Sequence, residues 1–251
     1  MKPKLSLAGV VLILLIASCG SPKKIVYFQD SQNFETIVAD NAFEPKFKVD
    51  DVVSIYVATL NPEASAPFNL TIGVAANGQS ESLDYLVDKN GEIDFPVIGK
   101  VKILGLSPEE VKSLLRKELS SYLKDPIINV RLRNFTVTIL GEVRNPGTYP
   151  IIGEQITILE ALGLAGDLTI KGKRENIMVI RDFDGVKVYN KIDLTSKEAM
   201  KSPAYYLTQN DVVYVEPNKS AVSASSLDNR TSIVLSLLSI VATTTFFILR
   251  N

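Results

Sequence analysis

Two apolar segments at opposite ends of the chain limit its fold more than any other feature. Residues 5–18 (LSLAGVVLILLIAS) run straight into Cys19, the sole cysteine of the 251-residue sequence. Residues 233–249 (IVLSLLSIVATTTFFIL) carry no charge and close the chain almost at its last residue. The region between them has an ordinary globular composition. Such a chain is expected to be tethered to a membrane at its start and inserted into one at its end, with a folded, water-exposed body between.

The first segment has the layout of an export signal. Lys2 and Lys4 form a short basic region, and the apolar stretch after them has signal-peptide length and is too short for a comfortable span. It ends Ile16-Ala17-Ser18-Cys19, which resembles the lipobox of bacterial lipoproteins. The resemblance implies acylation of the Cys19 thiol, removal of residues 1–18, and a lipidated tether over 19–46. A lone thiol in an exported protein otherwise has no partner, although an ordinary signal peptide with an incidental cysteine fits the same residues. Gly20 rather than aspartate follows Cys19, which by analogy with lipoprotein sorting favours the outer membrane.

Composition narrows the function classes. The chain carries 27 Lys and Arg against 28 Asp and Glu; removing Lys2 and Lys4 with the signal leaves 25 against 28, a net charge of −3. No basic excess points to nucleic acid. Histidine is absent, and with it the usual general base near neutral pH and the commonest metal ligand. No cofactor, metal site or enzymatic activity is expected.

Patterning places α+β structure across residues 47–217. Alternation from Val53 to Val57 reads as a strand with one buried face. Ile25 to Phe28 also has the composition of a short strand. Residues 60–80 are rich in Pro, Ala, Asn and Gly and read as a loop. Tyr85–Asp88 and Ile93–Phe95 flank Asn90-Gly91, a hairpin signal. Ser107-Pro108-Glu109-Glu110 is a capping box opening a helix whose apolar face carries Val111, Leu114, Leu115, Leu119 and Tyr122. Strands over 127–132 and 135–140 follow. The next turn is Asn145-Pro146-Gly147, with the glycine expected at positive φ. Thr157 to Glu160 opens a second capped helix ending near Gly166. A hairpin through Asp184-Gly185 and a last strand over 211–215 complete the body. Residues 218–230 are Ser/Ala-rich and read as a linker. Two pairs of segments echo each other: Phe95–Gly99 with Tyr149–Gly153, and Asp51-Val52-Val53 with Asp211-Val212-Val213. The echoes fit two related units in tandem, or independent use of the same strand-end chemistry.

Taken in order, these residues resemble the outer-membrane polysaccharide export lipoproteins of Gram-negative bacteria. Val49-Asp50-Asp51-Val52-Val53-Ser54-Ile55 is similar to the family's "G-D-x-[LV]-x-[IV]" opening, with Asp50 where glycine is usual. Val87 to Gly99 is similar to its "V-d-x-x-G-x-I-x-x-P-x-x-G" core, and Asp125-Pro126 to Arg131 to its "D-P-x-v-x-V" strand. Residues 135–217 resemble a soluble-ligand-binding β-grasp domain, on Gly141-Glu142-Val143 and Pro146-Gly147-Thr148-Tyr149. Lys23 to Gln29 (KKIVYFQ) resembles the lipoprotein form of Bacteroidetes. The resemblance implies an export domain over 47–134, one β-grasp domain over 135–217 where larger members have two or more, a linker over 218–230 and a transmembrane helix over 231–250. It also implies a homo-oligomeric ring, a surface polysaccharide as cargo, and an inner-membrane polysaccharide co-polymerase, often a tyrosine kinase, as partner.

A helix from Thr231 would span about 28 Å, close to the thickness of a bilayer core. On a helical wheel Ser232, Ser236, Ser239 and Thr243 share one side, within about 40°, opposite Val234, Leu237, Val241 and Ile248. This hydroxyl stripe fits three arrangements: small-residue packing against another helix, an ordinary anchor whose hydroxyls bond their own backbone, or a ring of copies around a water-filled pore. The resemblance favours the pore, with those four hydroxyls lining it. Two other functions fit parts of the chain. One is a membrane-tethered β-grasp module that binds a soluble ligand or cell-wall glycan without transporting it. The other is a carboxylate-dependent glycan hydrolase built on Asp84, Asp88 and Asp94. Tyr149, Tyr205 and Tyr206 have the chemistry to stack on sugars, but tyrosines of this kind more often pack in small cores.

Overall fold

The computed structural model describes residues 25–37, 44–74, 80–183, 185–226 and 229–250. The expected signal peptide and Cys19 lie outside these residues. The described chain packs around two hydrophobic clusters, one running from Phe47 to Val130 and the other from Phe135 to Val215. Leu132 touches both.

The first cluster is covered by β1 (Val52–Ala58), α1 (Pro62–Ser65), β2 (Thr71–Val74), β3 (Ser80–Ser82), β4 (Tyr85–Leu86), β5 (Glu92–Phe95), β6 (Gly99–Lys102), α2 (Pro108–Leu119) and β7 (Ile127–Leu132). The sheet runs β4-β1-β7, all antiparallel, with Val53, Ile55 and Val57 buried as the alternation requires. Helix α2 closes it from the side with Val111, Leu115 and Leu119 fully buried, while Tyr122 remains exposed.

The second cluster is covered by β8 (Thr136–Gly141), β9 (Gly147–Pro150), β10 (Ile156–Thr157), α3 (Ile158–Leu164), β11 (Gly172–Phe183), β12 (Val186–Ile192), β13 (Tyr206–Leu207) and β14 (Val212–Pro217). Its five-stranded sheet has the order β12-β11-β14-β8-β9. The pair β14–β8 is parallel and the others antiparallel, so the α+β expectation is met by a mixed sheet. Ile158, Ala161 and Leu162 of α3 sit in the same core. Two further helices follow, α4 (Lys219–Ser226) and α5 (Asn229–Arg250).

Several expectations need correction. Residues 60–80 are not a plain loop. Asn61 accepts from the Glu63 amide at 3.2 Å to start α1, and β2–β3 form a hairpin further on. The chain does reverse at Asn90-Gly91, but the flanking strands pair elsewhere, β4 with β1 and β5 with β6. Only Gly91 has positive φ there, +77°, and a Cβ on it would lie 2.3 Å from the Leu104 Cβ. Gly147 does not take the left-handed conformation expected of it. The glycine that does is Gly141, at φ +91°, where a Cβ would stand 2.1 Å from the Val215 carbonyl oxygen. The expected linker over 218–230 contains α4. The expected transmembrane segment 231–250 is helical as part of α5, in which side chains are described for 233–237 and 239–244. Among the described residues no helix is long and apolar enough to cross a membrane.

Candidate functional site

The N-terminal segment is docked rather than trailing. No strand forms over Ile25–Phe28; the chain turns there, with Phe28 at φ +46°. The Tyr27 ring lies against the second cluster, and its hydroxyl donates to Asp167 Oδ1 at 2.5 Å. The Arg174 guanidinium carbon stands 5.2 Å from the Tyr27 ring centre, a cation–π contact. Burial, with Asp167 adding to it, pushes the Tyr27 hydroxyl far above its ordinary range. Arg174 is 6% exposed and donates from Nη1 to the carbonyls of Thr169 and Gly172 at 3.4 and 3.2 Å, while its Nε has no partner. No ion pair joins Arg174 to an acid among the described residues; burying a guanidinium so costs free energy, and the aromatic face recovers part of it.

Further contacts fasten the same segment. The amides of Phe28 and Gln29 donate to the carbonyls of Leu194 and Thr195 at 3.1 and 2.8 Å. Asp30 accepts from Ser196 Oγ at 2.6 Å and the Lys197 amide at 2.7 Å, and Glu35 pairs with Lys197. These hydrogen bonds hold the carboxyls of Asp30 and Glu35 below the usual range. The expected tether 19–46 is therefore, over 25–35, a strap across the second unit.

The C-terminal exit lies on the same stretch of chain. Asn218 follows β14 directly. Its amide donates to the Lys171 carbonyl at 2.7 Å and its Nδ2 to the Ile170 carbonyl at 3.3 Å. Its Oδ1 accepts from the Ala221 amide at 3.0 Å and Ser220 Oγ at 2.8 Å, which starts α4 where the sequence reads as linker. Strap and exit are thus both held by residues 167–174.

In α5 the hydroxyls turn inward on their own backbone. Ser236 Oγ donates to the Ile233 carbonyl at 2.8 Å, Ser239 Oγ to Ser236 at 2.7 Å, and Thr243 Oγ1 to Ser239 at 2.6 Å. Thr244, outside the stripe, does the same to Ile240 and Val241. The side chain of Ser232 lies outside the described residues. The three described stripe hydroxyls are therefore satisfied without water or a second helix.

The Asp51 and Asp211 echo is carried by geometry. Each aspartate precedes its strand, is buried, and follows a residue in the left-handed conformation, Asp50 at φ +68° and Asn210 at φ +65°. Asp51 Oδ2 accepts from the Lys48 amide and Asp211 Oδ2 from the Thr208 amide, both at 2.8 Å. Asp50 occupies the position where the resemblance expects glycine, and short polar side chains tolerate that conformation best after glycine. The twins differ in one partner. Arg181 grips Asp211 with Nη2 at 2.7 Å and Nε at 3.0 Å, whereas no ion pair joins Asp51 to a cation among the described residues. Burial pushes the Asp51 carboxyl up to about 6 against the Lys48 hydrogen bond. Asn134 ties the two turns together: its Oδ1 accepts from the Val52 amide, its Nδ2 donates to the Asp50 carbonyl, and its own carbonyl accepts from Gln209. The Phe95–Gly99 echo has no such basis. That segment is the β5–β6 hairpin turn, while Tyr149–Gly153 leaves β9 towards α3.

The acids considered for hydrolysis have local duties. Asp88 Oδ1 accepts from the amides of Asn90 and Glu92 at 2.8 and 2.9 Å, which holds its carboxyl below the usual range. Asp84 faces Arg133 at 3.3 Å, and Asp94 lies opposite Lys100 across the β5–β6 ladder. Tyr149 and Tyr205 pack partly buried against the second core, and Tyr205 and Tyr206 meet edge to face at 5.4 Å.

Against this geometry, residues 40–133 match the family model of polysaccharide biosynthesis/export protein, and residues 136–215 that of the SLBB domain. The chain is 28% identical over 141 residues to the EPS I polysaccharide export outer membrane protein EpsA of Ralstonia solanacearum, and 31% over 140 residues to that of Ralstonia nicotianae. It is 21% identical over 206 residues to the capsule polysaccharide export outer membrane protein CtrA of Neisseria meningitidis. These alignments cover 55%, 52% and 81% of this chain but only 37%, 37% and 52% of the respective relatives.

Proposed function

We propose, from the premise that this chain belongs to the polysaccharide biosynthesis/export protein family, that it is one subunit of an oligomeric outer-membrane exporter for a capsular or extracellular polysaccharide. Residues 47–134 form the export domain and 135–217 the β-grasp domain of a periplasmic ring. Acyl chains on Cys19 hold the ring to the inner leaflet, and residues 231–250 cross the outer membrane. The subunit is a passive conduit and not an enzyme. Its partner is an inner-membrane polysaccharide co-polymerase, a tyrosine kinase in many such systems.

One observation carries this reading: the strap and the C-terminal exit leave the fold from the same stretch, Asp167 to Arg174. Tyr27 is eight residues from Cys19, at most about 28 Å of extended chain. Asn218 is fifteen residues from Ile233, about 22 Å as helix. Both apolar segments can therefore reach one membrane without distorting the fold.

A tethered binding module is the second reading. The back-bonded hydroxyls of Ser236, Ser239 and Thr243 favour it, because a helix so satisfied needs no lumen. Two measurements separate the readings. Deleting the gene and staining surface glycan tests transport: lost surface glycan with internal accumulation supports the exporter, and unchanged glycan refutes it. The mass of the detergent-extracted particle tests assembly: several copies support the exporter, and a monomer favours the module.

A further inference from the structure

We propose that the end of the β-grasp unit carrying Arg144, Ile170, Lys171, Lys219 and Val222 is a docking surface for anionic phospholipid. The inference rests on the membrane-attached reading above and adds a contact that neither apolar segment supplies.

Hydrogen bonds gather these residues. The Arg144 amide donates to the Asp167 carbonyl at 3.1 Å, Asn218 holds the carbonyls of Ile170 and Lys171, and the Val222 amide donates back to the Asn218 carbonyl at 3.2 Å. Ile170 is 71% exposed and Val222 54%, two aliphatic tips on the same end of the unit. Arg144, Lys171 and Lys219 are exposed beside them, and no ion pair joins any of the three to an acid among the described residues. The nearby acids are engaged otherwise: Asp167 with Tyr27, Glu142 with Thr169, and Glu216 with Lys173.

Aliphatic tips set among free cations suit a bilayer surface. The tips enter the headgroup boundary while the cations meet lipid phosphates. Lipid is favoured over another protein by position. The patch lies between the strap and the C-terminal exit, from which the two apolar segments depart, so a membrane that receives them passes close to it. Docking there would add a third point of contact and so fix the tilt of the subunit.

The sequence contains no tryptophan, so a single introduced one reports without background. The full-length protein carrying Ile170→Trp is reconstituted into vesicles of phosphatidylethanolamine and phosphatidylglycerol containing lipids brominated on their acyl chains. The expected result is loss of most of the tryptophan emission. Ile152→Trp, fully exposed on a loop lining a crevice beside Phe47 and Arg131, should keep its emission. Adding Lys171→Glu and Lys219→Glu to Ile170→Trp should restore emission. Protein that stays with the vesicles while Ile170→Trp remains unquenched overturns the docking surface alone, and a blue-shifted but unquenched signal assigns the patch to a protein contact instead. Protein that does not float with vesicles at all overturns the membrane reading and the docking surface together.

Discussion

The twin turns before β1 and β14 predict opposite outcomes for one substitution. Asp51 is buried with a backbone amide but no cation, and burial lifts its carboxyl from 3.8 to about 6. Holding that group ionised in the fold costs about 3 kcal/mol relative to the unfolded chain. A raised folded-state value means that the group's contribution to stability is fully present below its unfolded value and is lost as pH rises through about 6. Asp51→Asn keeps an oxygen for the Lys48 amide and removes the charge, but buries an amide needing partners, at about 1–2 kcal/mol. The net expectation is a gain of about 1–2 kcal/mol at pH 7.5, or roughly 2–8 °C in midpoint for a chain of this size. Near pH 4 the penalty has faded, so the substitution should become neutral or destabilising.

The assay is thermal unfolding of full-length, detergent-solubilised protein by circular dichroism at pH 7.5 and pH 4. An Asp51→Asn effect of the same sign and size at both values would refute the argument. Asp211→Asn is the internal control. It breaks the paired hydrogen bonds from Arg181, whose side chain is 14% exposed, and leaves a largely buried guanidinium without its counter-ion. A loss of about 3–5 kcal/mol at pH 7.5 is expected. Stabilisation by both substitutions would mean that the Arg181 contact does not distinguish the turns.

Gly141→Ala should destabilise by more than about 3 kcal/mol, because a positive φ and a 2.1 Å approach to the Val215 carbonyl oxygen both oppose a Cβ; chemical denaturation checks it. Tyr27→Ala should free the strap and expose Glu35 to glutamyl endopeptidase, while Tyr27→Phe, losing only the Asp167 bond, should cost about 1 kcal/mol and leave the strap protected. Unchanged cleavage in Tyr27→Ala would count against docking. Ser107→Ala removes one half of the α2 capping box and should cost about 1 kcal/mol, measured by the same denaturation.

What could be read from sequence was what local chemistry decides. Ser107 and Glu110 exchange hydrogen bonds with each other's backbone, as do Thr157 and Glu160, and both helices start where their four-residue signals stand. The Val53 to Val57 alternation maps directly onto buried and outward faces. Reading failed where a partner distant in sequence decides. Asn90-Gly91 signals a reversal but not which strands pair, and the requirement for glycine there comes from Leu104. Gly147 sits in the stronger turn motif, yet it is Gly141 that takes the left-handed conformation, at a place where the Val215 backbone also leaves no room for a Cβ. Residues 218–226 read as linker because serine interrupts the alanines and no apolar period marks a helix, while Asn218, which starts the helix, is itself fixed by Ile170 and Lys171. The Asp51 and Asp211 echo was visible, but the contrast between them is not, since it depends on Arg181.

The strap was the least legible feature and has the largest consequence. In chain order the first unit follows the N-terminal segment, so a linear reading puts it nearest the lipid expected on Cys19. The contacts put the tether elsewhere: Tyr27 reaches Asp167, 140 residues away, and Asp30 reaches Ser196 and Lys197. Among the described residues the chain touches the second unit first, leaves to build the first, and returns to finish the second before α4 and α5. The apolar run Ile25–Phe28 signals contact with some surface but not with which unit, and Asp30 and Glu35 suit solvent equally well. What makes the docking favourable is the packing of Tyr27 and Phe28 on the second core together with the buried Arg174, which Tyr27 covers and which has no ion pair with a carboxylate among the described residues. A cation left partly unsatisfied in the second unit thus helps select where the first described residues lie, and under the proposed lipid anchor at Cys19 that choice would bring the second unit, not the first, close to the membrane.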